Sequence, residues 1–563
     1  MLRLRRFLPV LGCVLAAIAF VANGPKKGPS SRDGKTCGTV VIPPGIGLGA
    51  PPASVDSLNP LLSGSLYDGE ASGLLYRNLL WVNRAHRITW SRSIAKSIRV
   101  SSDDTVFTVT MRPWRWSDGV PVTARDVNFT YQLIKRMGPV YLNYDSGGIP
   151  NLVKSFTELG AEKFRIITTR PVNPEWFELT GLAQLVPYPE HAWRKYTIDE
   201  MFRRQTDPNF FKVVDGPYEI ERFRIGRYIT FVPNPTYAGR RSTIGRLVLL
   251  FLHSSEGEVE ALKAGTIDMS NLPFSLWPLR DELAGIRVVR LMPNFGFDFI
   301  QLNFRKPSVW FFRSLRVRQA IADAINQRAI IRLLYHGYAR VQHGPVSVEP
   351  PIFLSPTAMA GHYPVHYDPA KARQLLDGAG WKPGKDGIRV RDGRRLSFTY
   401  LQSSGAVTST LESEMIQQNL RAVGIEMRIR QLTFNELVAL SERPMSWDAI
   451  GFGWSLGNYP DDGPQFHTGA AYNQAGYSNT EMDALLDAVT AESGMRALYA
   501  YQDFAALQQP EIFLPQPGAV VLVREPLRGI RKAFPPSGTW APQYLQWNTG
   551  PCRRSSWVEA GAR

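Results

Sequence analysis

A short segment near the carboxyl end has the spacing of a serine nucleophile. The sequence Gly-Trp-Ser-Leu-Gly at 453–457 matches the Gly-x-Ser-x-Gly pattern, in which a strand turns directly into a helix and presents the serine to a histidine base. The residues at 458–464 are rich in Pro and Asp and disfavour the helix that this geometry needs. This context makes a serine nucleophile the less favoured interpretation. A secreted hydrolase that uses Ser455, with His467 as the sole later histidine, is kept as an alternative function.

Two histidines have the spacing of a metal-binding pair. His362 and His366 are separated as ligands on one helical turn would be, but Pro364 lies between them and interrupts a helix. We therefore expect neither a metal site nor a cofactor. A metal ion held by His362, His366 or His467 stays open as another alternative.

The composition is that of a folded protein with more than one domain. Of 563 residues, 44% are hydrophobic and 20% are charged, which excludes a disordered chain, and the length exceeds what one core serves. The 65 Lys and Arg against 49 Asp and Glu give a formal charge of +16. No zinc finger, helix-turn-helix or RNP pattern accompanies the basic residues, so we expect no nucleic-acid partner. Attraction to an anionic membrane face or an acidic partner accounts for the charge.

The amino-terminal segment has the layout of an export signal. Three arginines within the first six residues precede an uncharged run at 7–22 and a polar spacer. The run is shorter than the roughly 20 apolar residues that a membrane-spanning helix needs. We expect residues 1–36 to be a signal peptide and spacer, and the mature chain to be periplasmic or at the cell surface. An uncleaved anchor and a lipid on Cys13 remain open.

The other two cysteines stand near the two ends of the mature chain. After export, Cys37 and Cys552 would be in an oxidising compartment, in which disulfides persist. We expect a disulfide between them, which requires the two termini to lie in one domain.

Hydrophobic spacing predicts the local elements. Alternation at 106–111 predicts a strand, and Thr123 followed by Asp126 predicts a capped helix at 124–136. A second helix is predicted after Asp368, with Gly380 as its stop.

The carboxyl-terminal half shows an alternation of strand and helix. Strands are predicted at 396–402 and 425–432 with a helix at 412–423 between them, and another helix after Asn479. Two strands joined by a crossover helix favour a parallel pair, and so an α/β domain.

Aromatic side chains are abundant beside predicted turns. The 14 Trp, 21 Tyr and 28 Phe include Trp114, Trp116, Trp454 and Tyr459, each near Gly, Pro or Asp. This placement suits a ligand cleft between domains. Filling of the core is the alternative for each of them.

Many segments match one protein family in order along the chain. The hallmark is Ala95-Lys96-Ser97 followed by WSDGVPVTARDV at 116–127. The supporting matches are DSLNP at 56–60, GPY at 216–218, NPTY at 234–237, ALKAGTID at 261–268, VRQA at 317–320, the helix at 367–381, VGI at 423–425 and GYSN at 476–479. Together they resemble the extracellular solute-binding proteins of family 5, which feed peptide, nickel and related ABC importers. The resemblance covers residues from about 50 to about 530.

The resemblance implies an α/β fold of the type II periplasmic-binding-protein kind, with two lobes, an extra domain and a ligand cleft between the lobes. Domain I would contain residues 38–73, 216–296 and 517–563, domain II residues 74–215, and domain III residues 297–516. Domain I would then contain Cys552 and begin directly after Cys37, in agreement with the expected disulfide between them.

The resemblance also implies a ligand site. In relatives that take peptides, the segment after a Gly-Trp pair gives main-chain hydrogen bonds to the ligand, and an Asp pairs with its α-ammonium. Gly457 stands here at the position of that Asp, so Asp461 or Asp462 would have to replace it if the loop curls back; otherwise the ligand lacks a free amine. The implied ligand-binding residues are Ser57, Leu58, Asn303, Gly453, Trp454, Ser455, Asn458 and Asp461.

The function that follows is capture without chemistry. The chain would be a monomeric receptor of an ABC importer that closes two lobes on its ligand and delivers it to a membrane permease served by an ATPase. Oligopeptides are the leading ligand class. A sugar, an opine or a nickel complex is the alternative cargo, and hydrolysis by Ser455 is the rival activity.

Overall fold

The structure is a computed structural model that describes residues 38–47, 54–62, 65–83, 85–141, 143–291, 295–470, 472–534 and 540–547, without the side chains of Leu66 and Asn435. These residues belong to one compact unit. The expected signal segment 1–36 and all three cysteines, Cys13, Cys37 and Cys552, lie outside the described residues, as does the expected disulfide.

Four sheets organise the described chain. Sheet A has the order Thr39–Ile42, Arg246–Leu250, Tyr228–Pro233 and Tyr218–Arg224. Sheet B has the order Ala95–Val100, Val106–Met111, Lys163–Thr168 and Val153–Glu158. Sheet C has the order Glu426–Leu432, Ser397–Ser403, Ala449–Ser455, Gly296–Leu302 and Glu511–Leu514. Sheet D has the order Met269–Asn271, Val520–Arg524 and Ile286–Arg290.

Short strands form four further small sheets among the described residues. They are Trp114–Arg115 with Pro121–Val122, Ala339–Arg340 with Gln516–Pro517, Lys382–Pro383 with Arg389–Arg391 and Arg394–Arg395, and Leu527–Arg528 with Gln546–Trp547.

Helices cover the sheets and carry the connections. The α-helices are Leu66–Ser72, Ala124–Met137, Pro174–Trp176, Glu190–Trp193, Ile198–Arg203, Ser255–Lys263, Leu315–Ala324, Gln327–Leu333, Pro356–Met359, Pro369–Gly378, Val407–Arg421, Phe434–Ser441, Gly463–Phe466, Thr480–Ala491, Arg496–Gln508 and Ile530–Ala533. Short 3-10 or π turns are Trp90–Arg92, Gly138–Val140, Ser146–Gly148, Phe177–Gly181, Leu182–Gln184, Phe274–Glu282, Pro307–Arg313, Pro351–Phe353, Pro444–Ser446 and Pro542–Tyr544. Within the described ranges, none of the helices combines the length and the apolar character that crossing a bilayer demands.

The local predictions from spacing are confirmed at several elements. Strand Val106–Met111 buries alternate residues, and helix Ala124–Met137 begins with the reciprocal capping bonds of Thr123 and Asp126. Helix Pro369–Gly378 is capped by Asp368, and Gly380 has the left-handed φ of +84° that ends it. The expected α/β character is present as well, because Ser397–Ser403 and Glu426–Leu432 pair in parallel.

One predicted helix boundary is wrong. The helix expected at 412–423 spans Val407–Arg421 in the structure. The prediction missed its first turn, which has no side-chain cap and exposes Val407 and Leu411 to solvent. An exposed, uncapped turn leaves no periodic or capping signal to read.

The chain passes between sheets C and D twice. It leaves sheet D after Arg290 and enters sheet C at Gly296, and it returns from Leu514 to Val520. In each sheet the two passing segments are hydrogen-bonded neighbours: Gly296–Leu302 with Glu511–Leu514, and Ile286–Arg290 with Val520–Arg524. The strands that flank the two connections therefore lie side by side and run in opposite directions.

A buried guanidinium joins three segments beneath sheet C. Arg318, which is 4% exposed, donates through Nη1 to the main-chain oxygens of Phe312 and Arg313 at 2.9 and 3.0 Å, and through Nε to the oxygen of Gln508 at 2.8 Å. The planar fork reaches all three carbonyls at once, as an ammonium group does not.

We expect Arg318→Lys to lower the free energy of unfolding by about 2 kcal/mol, because at least one buried carbonyl loses its donor. Urea unfolding followed by tryptophan fluorescence measures the change. The matched control is Arg316→Lys on the same helix, since exposed Arg316 donates to a single carbonyl, that of Gly378, at 2.6 Å. Equal stability of the two variants would contradict the prediction.

Candidate functional site

The middle strand of sheet C, Ala449–Ser455, is paired unequally on its two sides. Toward Gly296–Leu302 it is paired along its whole length. Toward Ser397–Ser403 only its first two residues are paired. Gly453 and Trp454, two of the predicted main-chain ligand contacts, therefore lie where one side of the strand has no partner strand among the described residues.

Two glycines on this strand have side chains of other strands directly over them. A Cβ atom on Gly453 would lie 2.6 Å from Oδ1 of Asp298, and one on Gly451 would collide with the hydroxyl of Tyr400. Since no real Cβ contact is that short, both positions accept only glycine without rearrangement. Glycine within a strand is typical of places where another backbone approaches closely.

Acidic and phenolic side chains surround this glycine face. Asp298, half-buried, lies above Gly453, and Tyr335 donates a hydrogen bond from its hydroxyl to Oε2 of buried Glu412 at 2.9 Å. Burial raises the pKa of Tyr400 and that of Tyr335, and the charges of both Glu412 and Asp298 raise them further. The four groups thus belong to one electrostatic cluster.

The loop after the strand contacts the amino-terminal half of the chain. Nδ1 of His86 donates to the main-chain oxygen of Asn458 at 3.0 Å, and Nδ2 of Asn458 donates to that of Leu179 at 3.2 Å. His86 is 1% exposed, and its ring centre lies 4.0 Å from that of Phe295. Burial lowers the pKa of His86, partly offset by the Asn458 carbonyl, so its neutral form is favoured.

Asp461 belongs to the same contact. Nε1 of Trp176 donates to Oδ2 of Asp461. Nearby, Nδ2 of Asn173 donates to the hydroxyl of Tyr459 at 3.2 Å and to the main-chain oxygen of Val489 at 3.1 Å. Burial raises the pKa of Asp461 to about 7, and the indole hydrogen bond opposes the rise. The structure thus brings Asn458 and Asp461 together against segment 173–179.

Asp462 is directed into the protein. It is completely buried, and the hydroxyl of Tyr501 donates to its Oδ2 at 2.6 Å. Burial raises the pKa of Asp462 to about 8; the Tyr501 hydrogen bond lowers it and the nearby Asp461 raises it. Its geometry makes Asp462 part of the core beneath the loop.

Ser57 and Leu58, two further predicted ligand residues, are buried in a different segment. The hydroxyl of Ser57 accepts from the main-chain nitrogen of Asn59 at 3.1 Å, and the nitrogen of Leu58 donates to the oxygen of Gln205 at 2.8 Å. Among the described residues, no hydrogen bond joins Ser57 or Leu58 to the loop at 453–461. The structure gives both residues local contacts that hold their own segment.

Asn303, also predicted as a ligand contact, is fully used by the backbone around it. It is 0% exposed, its Oδ1 accepts from the nitrogens of Arg305 and Lys306 at 2.9 and 3.0 Å, and its Nδ2 donates to the oxygens of Trp447, at 2.8 Å, and Pro444. This geometry argues against a ligand contact, because every donor and acceptor of the amide is already occupied.

The aromatic residues beside turns divide between core and site. Trp116 and Tyr459 are buried, with 0% and 1% exposure, and pack within the core. Trp454 is half-buried, and its ring centre lies 5.2 Å from that of Tyr472. Trp454 therefore keeps surface available at the half-paired strand.

The rival chemistries lack their geometry. The strand that ends at Ser455 continues into a loop, and the next helix begins only at Gly463, so no nucleophile elbow forms. His362 and His366 are exposed, whereas His467 lies 3.5 Å from the carboxylate of Asp487. Within the described part of the chain, no group of His, Cys, Asp and Glu side chains could hold a metal ion.

Comparison with known families decides the assignment. The profile of the bacterial extracellular solute-binding proteins, family 5 (middle part), matches residues 89–477. The chain belongs to this family. That assignment confirms the resemblance drawn from the sequence segments.

Family 5 members with similar sequences and structures extend the comparison. The oligopeptide-binding protein AppA of Bacillus subtilis is 24% identical over 496 residues, covering 84% of this chain and 87% of that protein. Its solved structure, in complex with a nonapeptide, has a TM-score of 0.73 at 22% identity and covers 92% of this chain and 100% of that one. NikZ from Campylobacter jejuni, in complex with Ni(L-His), has a TM-score of 0.73 at 21% identity and covers 88% and 96%. These family 5 structures confirm the expected α/β fold of the type II periplasmic-binding-protein kind, with two lobes.

Sequence reasoning missed several residues around the candidate site. His86, Trp176, Asp298 and Glu412 carry no motif, and each approaches the strand or loop from a distant segment. The one available signal was indirect: Asp298 interrupts the mostly apolar strand Gly296–Leu302, whose other residues are all buried.

The buried carboxyl of Asp462 predicts a pH dependence of stability. Because its pKa is raised in the native state, the native protein binds a proton that the unfolded chain releases above about pH 4. Its contribution to stability is complete below that pH and is lost as the pH rises through about 8. We expect Asp462→Asn, which stays neutral, to gain in thermal midpoint over the natural protein between pH 5 and pH 8.5, by about 2 °C for each kcal/mol removed from the penalty.

Differential scanning calorimetry across that pH range measures the gain. Asp199→Asn, at an exposed helical position, is the control and should follow the natural protein at every pH. A constant offset between Asp462→Asn and the natural protein would show that Asp462 does not carry the raised pKa.

Proposed function

We propose that this family 5 protein is the substrate-binding receptor of an ABC importer and that its cargo is an oligopeptide. Export through the segment at 1–36 would place it in the periplasm or at the cell surface, where a monomer delivers cargo to a membrane permease with its ATPase. AppA, which resembles this chain over most of its length, carries the name oligopeptide-binding protein and has been solved with a nonapeptide.

The observation that carries the proposal is the half-paired strand. An extended peptide can add to residues 451–455 on the side where the described residues provide no partner strand, with main-chain hydrogen bonds that contact the ligand backbone and not its side chains. The glycines at 451 and 453 let the side chains of Tyr400 and Asp298 lie directly over this strand. We therefore keep Gly453, Trp454 and Ser455 as the proposed main-chain contacts.

Closure of two lobes is the proposed mechanism. The predicted domains I to III are supported by the sheets: strands of A and D fall in the segments of domain I, those of B in domain II, and those of C, apart from Gly296, in domain III. Asn458 and Asp461 of domain III meet His86 and Trp176 of domain II, so the proposed lobes touch. Ligand would favour this state through its extra contacts with both lobes.

The proposal treats the protein as a binder and not an enzyme. A peptide present at about 100 times its dissociation constant should stabilise the native state by about 2.7 kcal/mol, which a thermal-shift assay with a random pentapeptide pool detects. Ser455→Ala should keep that shift because only its main chain is used, and mass spectrometry should recover the peptides uncut. Cleavage that disappears with Ser455→Ala would establish the hydrolase instead.

The bond between Trp176 and Asp461 should govern release of the cargo. Trp176→Phe removes the indole donor but keeps an aromatic ring, so the closed state loses one hydrogen bond to a carboxyl, worth about 1.5 kcal/mol. We expect dissociation of a bound peptide, measured by stopped-flow fluorescence, to become roughly tenfold faster.

The control for that measurement is Trp90→Phe, because Trp90 is 36% exposed and has no described contact with the loop at 456–462. It should release peptide at the natural rate. Identical release from both variants would mean that the contact of Trp176 with Asp461 does not hold the lobes together during binding.

A further inference from the structure

The glycine face of strand Ala449–Ser455 ends against two carboxyl groups that have little to bind. Asp298 lies above Gly453 and has no hydrogen bond or ion pair given by the described residues. Glu412 accepts one hydrogen bond, from Tyr335 to Oε2, while its Oε1 has no partner in the described part of the chain. Both acids therefore have carboxylate oxygens that can accept further hydrogen bonds.

Burial makes these unused atoms informative. Glu412 is only 9% exposed, and its Oε1 is a buried acceptor without a partner in the described part of the chain. Buried polar atoms in native proteins nearly always have a partner, and each exception needs an explanation. A donor group of a bound molecule would supply the partner that Oε1 of Glu412 lacks.

The sign of the missing group follows from the charges around it. The chain contains 65 Lys and Arg, yet among the residues that the structure describes none forms an ion pair with Asp298 or Glu412. Burial raises the pKa of Glu412 to about 8, and the charge of Asp298 adds to that rise; burial alone raises the pKa of Asp298 to about 7. A cation placed between two carboxyls favours their ionised forms and neutralises them.

We propose that Asp298 and Glu412 form a subsite for a positively charged group of the bound ligand, an ammonium or a guanidinium. This inference rests on the proposed function and narrows it to cationic peptides. It also agrees with the loss of an acid at Gly457, since Asp298 lies beside Gly453 and offers a carboxyl to the same stretch of ligand. The hydroxyls of Tyr335 and Tyr400 complete the polar wall.

Isothermal titration of the full-length protein with four peptides tests the subsite. The probes are Ala-Ala-Lys-Ala-Ala and the same peptide with norleucine for lysine, each with a free and with an acetylated amino terminus. A preference for lysine would place the side chain in the subsite, and a preference for the free terminus would place the α-ammonium there. We expect one of these preferences to be about tenfold or more, because a charge removed from a desolvated pair is costly.

Two variants then assign the preference to the acids. Asp298→Asn and Glu412→Gln should each reduce it to about threefold or less. Glu414→Gln, an exposed acid on the same helix, is the matched control and should keep the full preference. A preference that survives both variants would overturn the assignment.

The outcomes separate this inference from the proposed function. If all four peptides bind the natural protein equally, the subsite is refuted and the peptide receptor stands; this comparison needs no variant to fold. If no peptide binds, the peptide receptor fails, and 1,5-diaminopentane then decides the subsite. Binding of the diamine that Asp298→Asn abolishes would support a cation site, and absence of binding would refute it.

Discussion

The structure depends on the pairing of strand Gly296–Leu302 with neighbours on both of its sides. This strand fixes the register of Ala449–Ser455 and so sets Asp298 over Gly453, and it also pairs with Glu511–Leu514, the segment that returns the chain to sheet D. A shift of one residue would turn every side chain of the strand to the opposite face. The placement of Asp298 over Gly453 and the connection between sheets C and D thus depend on the same main-chain hydrogen bonds of this strand.

Buried acids fall into two groups that differ in how they are satisfied. Asp68 is typical of the first, since it accepts from the main-chain nitrogens of Asp56 and Ser57 at 2.8 and 3.0 Å and so shapes its own segment. Glu412, with half-buried Asp298 near it, represents the second, because its Oε1 has no partner among the described residues. A protein that keeps such groups without internal partners accepts a desolvation penalty, and binding of a complementary group is one way to offset it.

The sequence predicted elements wherever a local signal was complete. Thr123 with Asp126, and Asp368 with Gly380, mark helix ends by their own chemistry, and so those ends could be read directly. The family motif led to Gly453, but it also suggested Asn303, whose amide the structure shows to be filled by backbone groups. Contacts such as His86 with Asn458 join residues far apart in the chain, and no spacing rule within one segment encodes them.

The double passage of the chain between sheets C and D restricts how the molecule can deform. Because both passing segments belong to ladders on either side, sliding would break several ladder bonds at once, whereas bending between the ladders strains only the few bonds there, such as that from the nitrogen of Leu291 to the oxygen of Ala519. Each lobe should therefore travel as a solid block. Asp298, Glu412 and the glycines at 451 and 453 would keep their mutual distances throughout the motion. A ligand would therefore first meet a preorganised set of contacts on this lobe, and the contacts from the other lobe would form on closure.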